Sequence, residues 1–241
     1  MVSTKTLIET AGHQDFASEP ELTRELIRRH QTDQFKTAGS TRADVILSNV
    51  NGRLLVMKDY QQSSKGFSLI LAPWLTHREC CALQQLDQID GVPRVIKKID
   101  SRAFVMEYIA ASSIREVADG LDWPSFITEV ESKITQLHAA GVVHGDLRNA
   151  TNILVRQNQK PVFVDFVSAI RRGRKFNPLS KLLYELCVAI DLGAIRKLKS
   201  RYAPQMLTQA ELQKLNHKGG FERIARWCSH LIRNSIQKLF P

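Results

Sequence analysis

The sequence predicts an α+β fold in two halves, a small antiparallel sheet followed by a helix-rich region. Two strand pairs and a change of period carry this reading. Residues 43–48 and 53–58 are strand-like and flank Asn51-Gly52, a strong hairpin signal. Residues 94–99 and 103–109 form a second such pair around Asp100-Ser101-Arg102. From Asp122 onward the apolar residues recur at helical spacing instead. With 43% hydrophobic and 24% charged residues, the 241-residue chain can build one large domain or one domain with two lobes.

Residues 1–17 read as a loosely held leader. Ser18 then precedes Pro20, with Glu19 and Glu21 early and Arg28 and Arg29 late, which predicts a helix to about His30. The first hairpin follows. A helix is expected from Pro73 to about Ile89, with Leu75, Glu79, Ala82, Leu83 and Leu86 on one face. After the second strand pair, Asp122 is a plausible N-cap with Pro124 close behind. Phe126, Ile127, Val130, Ile134 and Leu137 form the stripe of that helix, which Gly141 ends. Residues 153–155 and 162–164 are short strands around a polar turn. Further helices are expected near 178–189, 191–201, 208–215 and 221–239. With a hinge near 109–113, the chain divides into a leader and helix (1–33), a small lobe (34–109) and a helical lobe with a basic C-terminal helix (110–241).

Several function classes are excluded or narrowed at this level. The longest apolar run, 67–75, holds a serine and a proline and falls far short of the roughly 18–20 residues that cross a bilayer. The N-terminus shows no basic start followed by an apolar stretch, so no secretory signal is expected. Cys80, Cys81, Cys187 and Cys228 match no zinc or redox spacing, which suits free thiols in a reducing cytoplasm. The formal charge of +10 implies an anionic partner such as a nucleotide, nucleic acid, lipid head group or phosphorylated sugar. No recognition motif with interleaved aromatics is present, so specific nucleic-acid binding is not expected.

The chemistry concentrates between His144 and Asp165. In an antiparallel hairpin the residue before the first strand lies beside the residue after the second, so Asn152 and Asp165 meet at the open end. Asp146 arrives on the loop feeding that end. Three oxygen-bearing side chains then surround one point, where a magnesium–nucleotide site can form. Upstream, Glu79 lies on an apolar helix face, where an ionised carboxylate is costly unless paired. Lys58, ending an apolar strand, is its natural partner. The competing reading makes Thr76-x-x-Glu79 a capping box, which an earlier helix start at Pro73 disfavours.

Together, His144-Gly-Asp146, Asn152-Ile-Leu-Val and Val-Asp165-Phe166 resemble the catalytic loop and metal-binding segment of the protein-kinase-like superfamily. The His-Gly-Asp form and compact size resemble its atypical branches, RIO-type kinases and lipopolysaccharide core (Kdo/heptose) kinases, from about residue 35 to 191. The resemblance implies a two-lobed kinase-like fold, ATP and Mg2+ as cofactors, and protein groups that position phosphates and offset their charge. By the same resemblance, Asp146 orients or deprotonates the acceptor hydroxyl, and Asn152 and Asp165 hold magnesium. Lys58, paired with Glu79, contacts the α- and β-phosphates, and Gly39, Ser40 and Thr41 cover them. Met106 lines the rear of the nucleotide pocket, and backbone groups near Glu107 and Ile109 bond the adenine. Residues 104–109 alone fit a core strand with an exposed glutamate equally well.

Three departures stand out. The phosphate-covering loop has one glycine instead of three. Asp146 and Asn152 are six residues apart, one more than the usual kinase spacing, so the loop must bulge. Val167 replaces the glycine after Asp-Phe, which makes a backbone flip there harder and argues for a constitutively assembled site. No Ala-Pro-Glu signature follows; instead come Arg171, Arg172, Arg174 and Lys175, either a solvated basic turn or the seat of an anionic acceptor. The expected acceptor is a lipopolysaccharide-core sugar or related envelope glycolipid. The alternatives are a RIO-like protein serine/threonine kinase and a nucleotide-binding pseudokinase, against which the joint presence of Lys58, Glu79, Asp146, Asn152 and Asp165 argues. The basic amphipathic stretch 221–240 either docks on the helical lobe or rests on an anionic membrane surface at the inner face of the cell membrane.

Overall fold

The computed structural model describes residues 21–173 and 178–216. The leader, Ser18, Glu19 and Pro20, the basic pair Arg174 and Lys175, Cys228 and the 221–240 stretch lie outside the described residues. Helix α1 (Arg24–Arg29) starts later than expected from the Ser18-x-Pro20 signal, because Thr23 supplies the cap, its side chain accepting from Leu26 N at 3.2 Å. Two arginines pin α1 to the sheet. Arg24 Nε and Arg28 Nη2 donate to Asp59 Oδ2 at 3.0 and 2.7 Å, while Arg24 also reaches Asp100 and Arg28 reaches Asp44.

Five antiparallel strands form the main sheet in the order β1-β2-β3-β5-β4. Strand β1 (Gln31–Lys36) has all six residues exposed, and its polar sequence gives no period to read. The lobe boundary expected at residue 33 falls inside it. Strands β2 (Asp44–Val50) and β3 (Arg53–Asp59) pair across Asn51 and Gly52, whose φ values of 52° and 83° are those of the tight hairpin turn that Asn-Gly favours.

Helix α2 (Lys65–Gln85) begins well before Pro73, which sits inside it, and ends before Ile89. Proline cannot donate to the carbonyl four residues back, but that carbonyl belongs to Leu69, which is 68% exposed, so water can serve it. The run 67–75 is therefore half buried: Phe67, Ser68 and Ala72 face inward, and Leu69, Ile70 and Trp74 face solvent. Strands β4 (Val95–Lys98) and β5 (Ala103–Glu107) pair across a turn held by Asp100 Oδ1, which accepts from Arg102 N and Ala103 N.

The second half begins with β6 (Ser112–Ser113), α3 (Ile114–Val117) and α4 (Trp123–Ala139). Asp122 caps α4 through Ser125 N, and its five stripe residues are at most 1% exposed. Then come β7 (Val142–Val143), β8 (Ile153–Val155), β9 (Pro161–Phe163), β10 (Ile170–Arg171), α5 (Pro178–Tyr202) and α6 (Gln209–Asn216). Helix α5 is one element where two were expected. Asp191, expected to begin the second, is fully buried in mid-helix and committed to a neighbouring loop.

One hydrophobic cluster joins α2 and β5 to α4, β7, β8, β9 and α5. A second, with Ile27, Ile46, Leu55, Met57 and Val105, fills the α1 side of the sheet. Among the described residues no helix is long and apolar enough to cross a membrane. Because Asp59 is fully buried with two guanidinium partners, Asp59→Asn should lower the unfolding free energy by roughly 3 kcal/mol in urea titrations. A loss no larger than that of an exposed pair would show that α1 is not held this way.

Candidate active site

The site is built around a lysine removed from water. Lys58, on β3 and 6% exposed, places Nζ 2.9 Å from Glu79 Oε1, 2.8 Å from Glu79 Oε2 and 2.9 Å from Asp165 Oδ1. Thr76 and Glu79 are both interior to α2 and buried, so the capping-box reading fails and the ion pair stands. Burial alone would drive the ammonium toward its neutral form, but the carboxylates override it, Glu79 foremost, and Lys58 stays well above its ordinary pKa.

Asp165 follows β9. The pairing of Ile153 with Phe163, continued by the Val164 N to Asn152 O bond of 3.0 Å, brings Asn152 and Asp165 to the same end of the hairpin. Asp165 has a left-handed backbone (φ 66°, ψ 66°), and Phe166 behind it is buried against the His144 ring, 4.5 Å between centroids. Lys58 and then Lys36 hold the Asp165 carboxyl well below the usual carboxylate range. Lys36 Nζ, at the end of β1, donates to Asp165 Oδ2 at 2.8 Å. No pattern in the polar segment 31–36 marks this lysine; only the folded strand brings it in.

Asp146 reaches the site on the loop after β7. Gly145 makes that turn with φ 79°, and a Cβ there would stand 2.9 Å from Ser168 O, so a side chain is excluded twice over. The extra residue before Asn152 is absorbed by a turn: Asn149 N donates to Asp146 O, and residues Ala150–Asn152 form one 3-10 turn. Asn152 Nδ2 then donates to both Asp146 O and Asp146 Oδ2, at 3.0 and 3.1 Å. Burial raises the Asp146 pKa above its ordinary value, against the opposing pull of His144 and Asn152.

Two buried groups hold this loop. The His144 ring lies 3.0 Å from Val164 O through Nε2, and Asp146 N donates to Nδ1 at 3.3 Å, an arrangement that assigns the ring proton to Nε2. Burial lowers its pKa, so His144 is a neutral brace. Asp191 of α5 accepts from His144 N at 2.8 Å and from Gly145 N at 2.9 Å, and its Oδ2 is 3.2 Å from His138 Nε2. The sequence does carry a signal for Asp191, an acid inside the apolar stretch Val188-Ala-Ile-Asp-Leu, the same signal that marks Glu79.

The remaining expected residues surround this centre. Gly39, Ser40 and Thr41 form the tip of the β1–β2 turn, closed by two Gly39–Arg42 backbone bonds and tied to α2's start by Ser64 N to Ser40 O at 3.0 Å. Met106 is half-buried opposite Val56. Glu107 N is engaged by Arg94 O at 2.9 Å and its carboxylate by Arg94 Nε at 3.1 Å, so that N–H is unavailable to an adenine. Ile109 lies just beyond β5, and Tyr108 beside it stacks on Phe35 of β1, 6.3 Å between centroids. Arg171 ends β10 and Arg172 follows it.

A family model for the RIO domain matches residues 51–180, more than half of the chain and the whole of the site from Lys58 to Asp165. This chain belongs to the RIO domain family. Among solved structures it is similar to the Rio2 kinase of Chaetomium thermophilum and to that kinase's complex with ADP, Mg2+ and phosphoaspartate. Both match with a TM-score of 0.56 and 18% identity over 82% of this chain. The RIO-domain chain described here spans 63% and 62% of those two structures, respectively. A search of curated proteins finds no match. Among the described residues no three His, Cys, Asp or Glu side chains cluster as a metal cage. The oxygen groups this site could offer a metal are the Asp165 carboxylate, whose two oxygens here accept from Lys58 and Lys36, and the Asn152 side-chain oxygen. That sparse oxygen set fits a Mg2+ whose other ligands are phosphates and water.

Asp191→Asn offers one carbonyl oxygen where two backbone N–H groups and His138 converge, and should cost about 2–3 kcal/mol. Exchange of the His144 and Gly145 amides should quicken; unchanged exchange would refute the role of Asp191. A carboxylate whose pKa is depressed on folding contributes stability above about pH 4 and loses it as pH falls. Lys36→Met should therefore shrink the stability lost by the nucleotide-free protein between about pH 5 and pH 1, measured by denaturant titration, with the difference appearing below about pH 3.

Proposed function

We propose that this RIO-domain protein is an ATP- and Mg2+-dependent phosphotransferase that moves the γ-phosphate to a hydroxyl, with a protein serine or threonine as acceptor. The observation that carries this reading is the buried Lys58 ammonium held between Glu79 and Asp165. Charges are removed from water at a cost of several kcal/mol, as an order of magnitude, and hold here only through mutual pairing. A site that presents an ammonium, two acids and an amide to one point suits polyphosphate chemistry.

Each residue has a part in this proposal. Lys58 contacts the α- and β-phosphates, with Glu79 fixing its position. Asp165 and the Asn152 oxygen would hold Mg2+, which neutralises phosphate charge when bound. Asp146 orients the acceptor hydroxyl and takes its proton; Asn152 holds the carboxylate in place, and burial raises its pKa toward that of an effective base. The Gly39-Ser40-Thr41 turn covers the phosphates. Met106, Tyr108, Ile109 and Phe35 surround the adenine.

The similarity to Rio2 kinase supports a protein hydroxyl over a glycolipid, for which the comparisons supply nothing. The phosphoaspartate of the Rio2 complex supports a second product, an acyl phosphate on the enzyme itself.

Purified protein with Mg2+ and radiolabelled ATP tests the proposal. Label stable to hydroxylamine on protein indicates a phosphoserine or phosphothreonine, and hydroxylamine-labile label an acyl phosphate. A thermal shift with ATP but no transfer to itself or any acceptor would make the protein a binding module. Asp146→Asn should reduce transfer by about 10²–10⁴-fold while ADP binding survives. Because the Asp146 carboxyl must be ionised and burial raises its pKa above the ordinary carboxylate value, the rate should fall on acidification at a higher pH than an ordinary aspartate would give. A flat profile down to pH 4 would argue against Asp146 as the base.

A further inference from the structure

Beyond the Lys58 centre, the described residues hold a group of arginines that nothing in the proposed transfer uses. It is a cleft of about 630 Å³ between α2 and the segment following Asp165, lined by Trp74, Arg78, Gln85, Ala169, Arg171 and Arg172. Three arginines line it, of which Arg171 and Arg172 are exposed. Arg78 is half-buried, its Nη2 donates to Ala169 O at 2.8 Å, and its guanidinium lies over the Trp74 ring at 4.3 Å. Arg171 is exposed, and Arg172 lies over the Tyr184 ring at 4.8 Å.

Among the described residues none of the three forms an ion pair with a carboxylate. By contrast, the part-buried Arg24 and Arg28 both meet acids, as do Arg94 and Arg156. Glu79, adjacent to Arg78 in sequence, is committed to Lys58. A guanidinium drawn partly out of water without a counter-charge is unfavourable, and the deficit is met when an anion arrives from outside. Burial also holds the Arg78 guanidinium below its ordinary pKa despite the pull of Cys187 and Glu79.

The backbone keeps the arginines in place. Arg172 N donates to Gly141 O at 2.7 Å, and Gln85 Nε2 donates to Ala140 O at 2.7 Å, so β10, the end of α4 and the end of α2 form one frame. The cleft is open to solvent, and arginines line it where apolar side chains line most small-molecule sites. Planar guanidinium forks beside an indole suit a tetrahedral oxyanion joined to a larger group.

We propose that this cleft is a second anion site, binding a phosphate-monoester group independently of the nucleotide centre. It lies four residues past Asp165 along the chain, a position from which a phosphate on an acceptor or effector can be held near the transfer site. The binding claim itself stands whether or not the protein transfers phosphate.

Trp74 is a built-in reporter. Titrating the full chain with inorganic phosphate, and separately with glycerol 3-phosphate, at constant ionic strength should change Trp74 emission saturably, and Trp74→Phe should remove the signal. The Arg171→Gln/Arg172→Gln double variant should weaken apparent affinity at least about tenfold, whereas saturating ADP–Mg2+ should leave the affinity of the unsubstituted protein unchanged. Tighter binding of glycerol 3-phosphate than of phosphate supports an esterified ligand; equal binding supports the oxyanion alone as the recognised group. A response matched by chloride, kept in the double variant, or abolished by saturating ADP–Mg2+ overturns the second site. ADP–Mg2+ binding measured on the same variants reports separately on the nucleotide centre.

Discussion

A lysine ammonium withdrawn from solvent between two carboxylates is the constraint that organises this protein. Lys58 comes from the sheet, Glu79 from the long helix and Asp165 from the turn after the small hairpin, so one cation joins three parts of the chain. None of these charges has a favourable place of its own in so dry a setting. The pairing can form only when β3, α2 and the β8–β9 hairpin have all adopted their final places. Correct assembly of the fold and assembly of the centre are therefore the same event. The packing of Phe104, Leu83 and Phe166 in one cluster with α4 makes that arrangement the one the hydrophobic core also prefers.

The other half of the site is arranged by negative charge acting on backbone. Asp191 does not enter the reaction centre; it gathers the N–H groups of His144 and Gly145 and so sets the direction in which the chain delivers Asp146. His144 does the same from the opposite side with a neutral ring. The loop thus has its geometry determined by α5 and by Val164 together with its own Gly145, and it accommodates an additional residue before Asn152 through a single tight turn.

Much of this was legible in the sequence, and the reason is physical. Lys58, Glu79, Asp146, Asn152 and Asp165 are polar residues in apolar surroundings or at strand ends, where a charge must be explained. The Asn51-Gly52 hairpin and the α4 stripe were legible because each obeys a strict local rule. What was hidden had no local rule to follow. Strand β1 is polar and exposed throughout, so its pairing is imposed by β2. The start of α2 was misplaced because proline is normally punctuation, and here an exposed Leu69 carbonyl makes it tolerable. Asp191 looked like the opening of a helix because its partners lie 46 and 47 residues away. Lys36 carried no signal, since an exposed lysine on a polar strand is ordinary until the fold gives it Asp165.

Strand β1 has a consequence of its own. As the outer strand of the sheet it buries no side chain, and its ladder to β2 is interrupted by two register shifts. Those irregularities, with Asp33 and Lys36 along the strand, blunt an edge that would otherwise template pairing with another molecule. They also make β1 cheaply detached, since it gives up ladder bonds, two side-chain hydrogen bonds to β2, one ring contact and one ion pair but no apolar core. The edge beside Asp165 is thus a selvedge, stitched to the centre by Lys36, whose loss would leave the cloth intact.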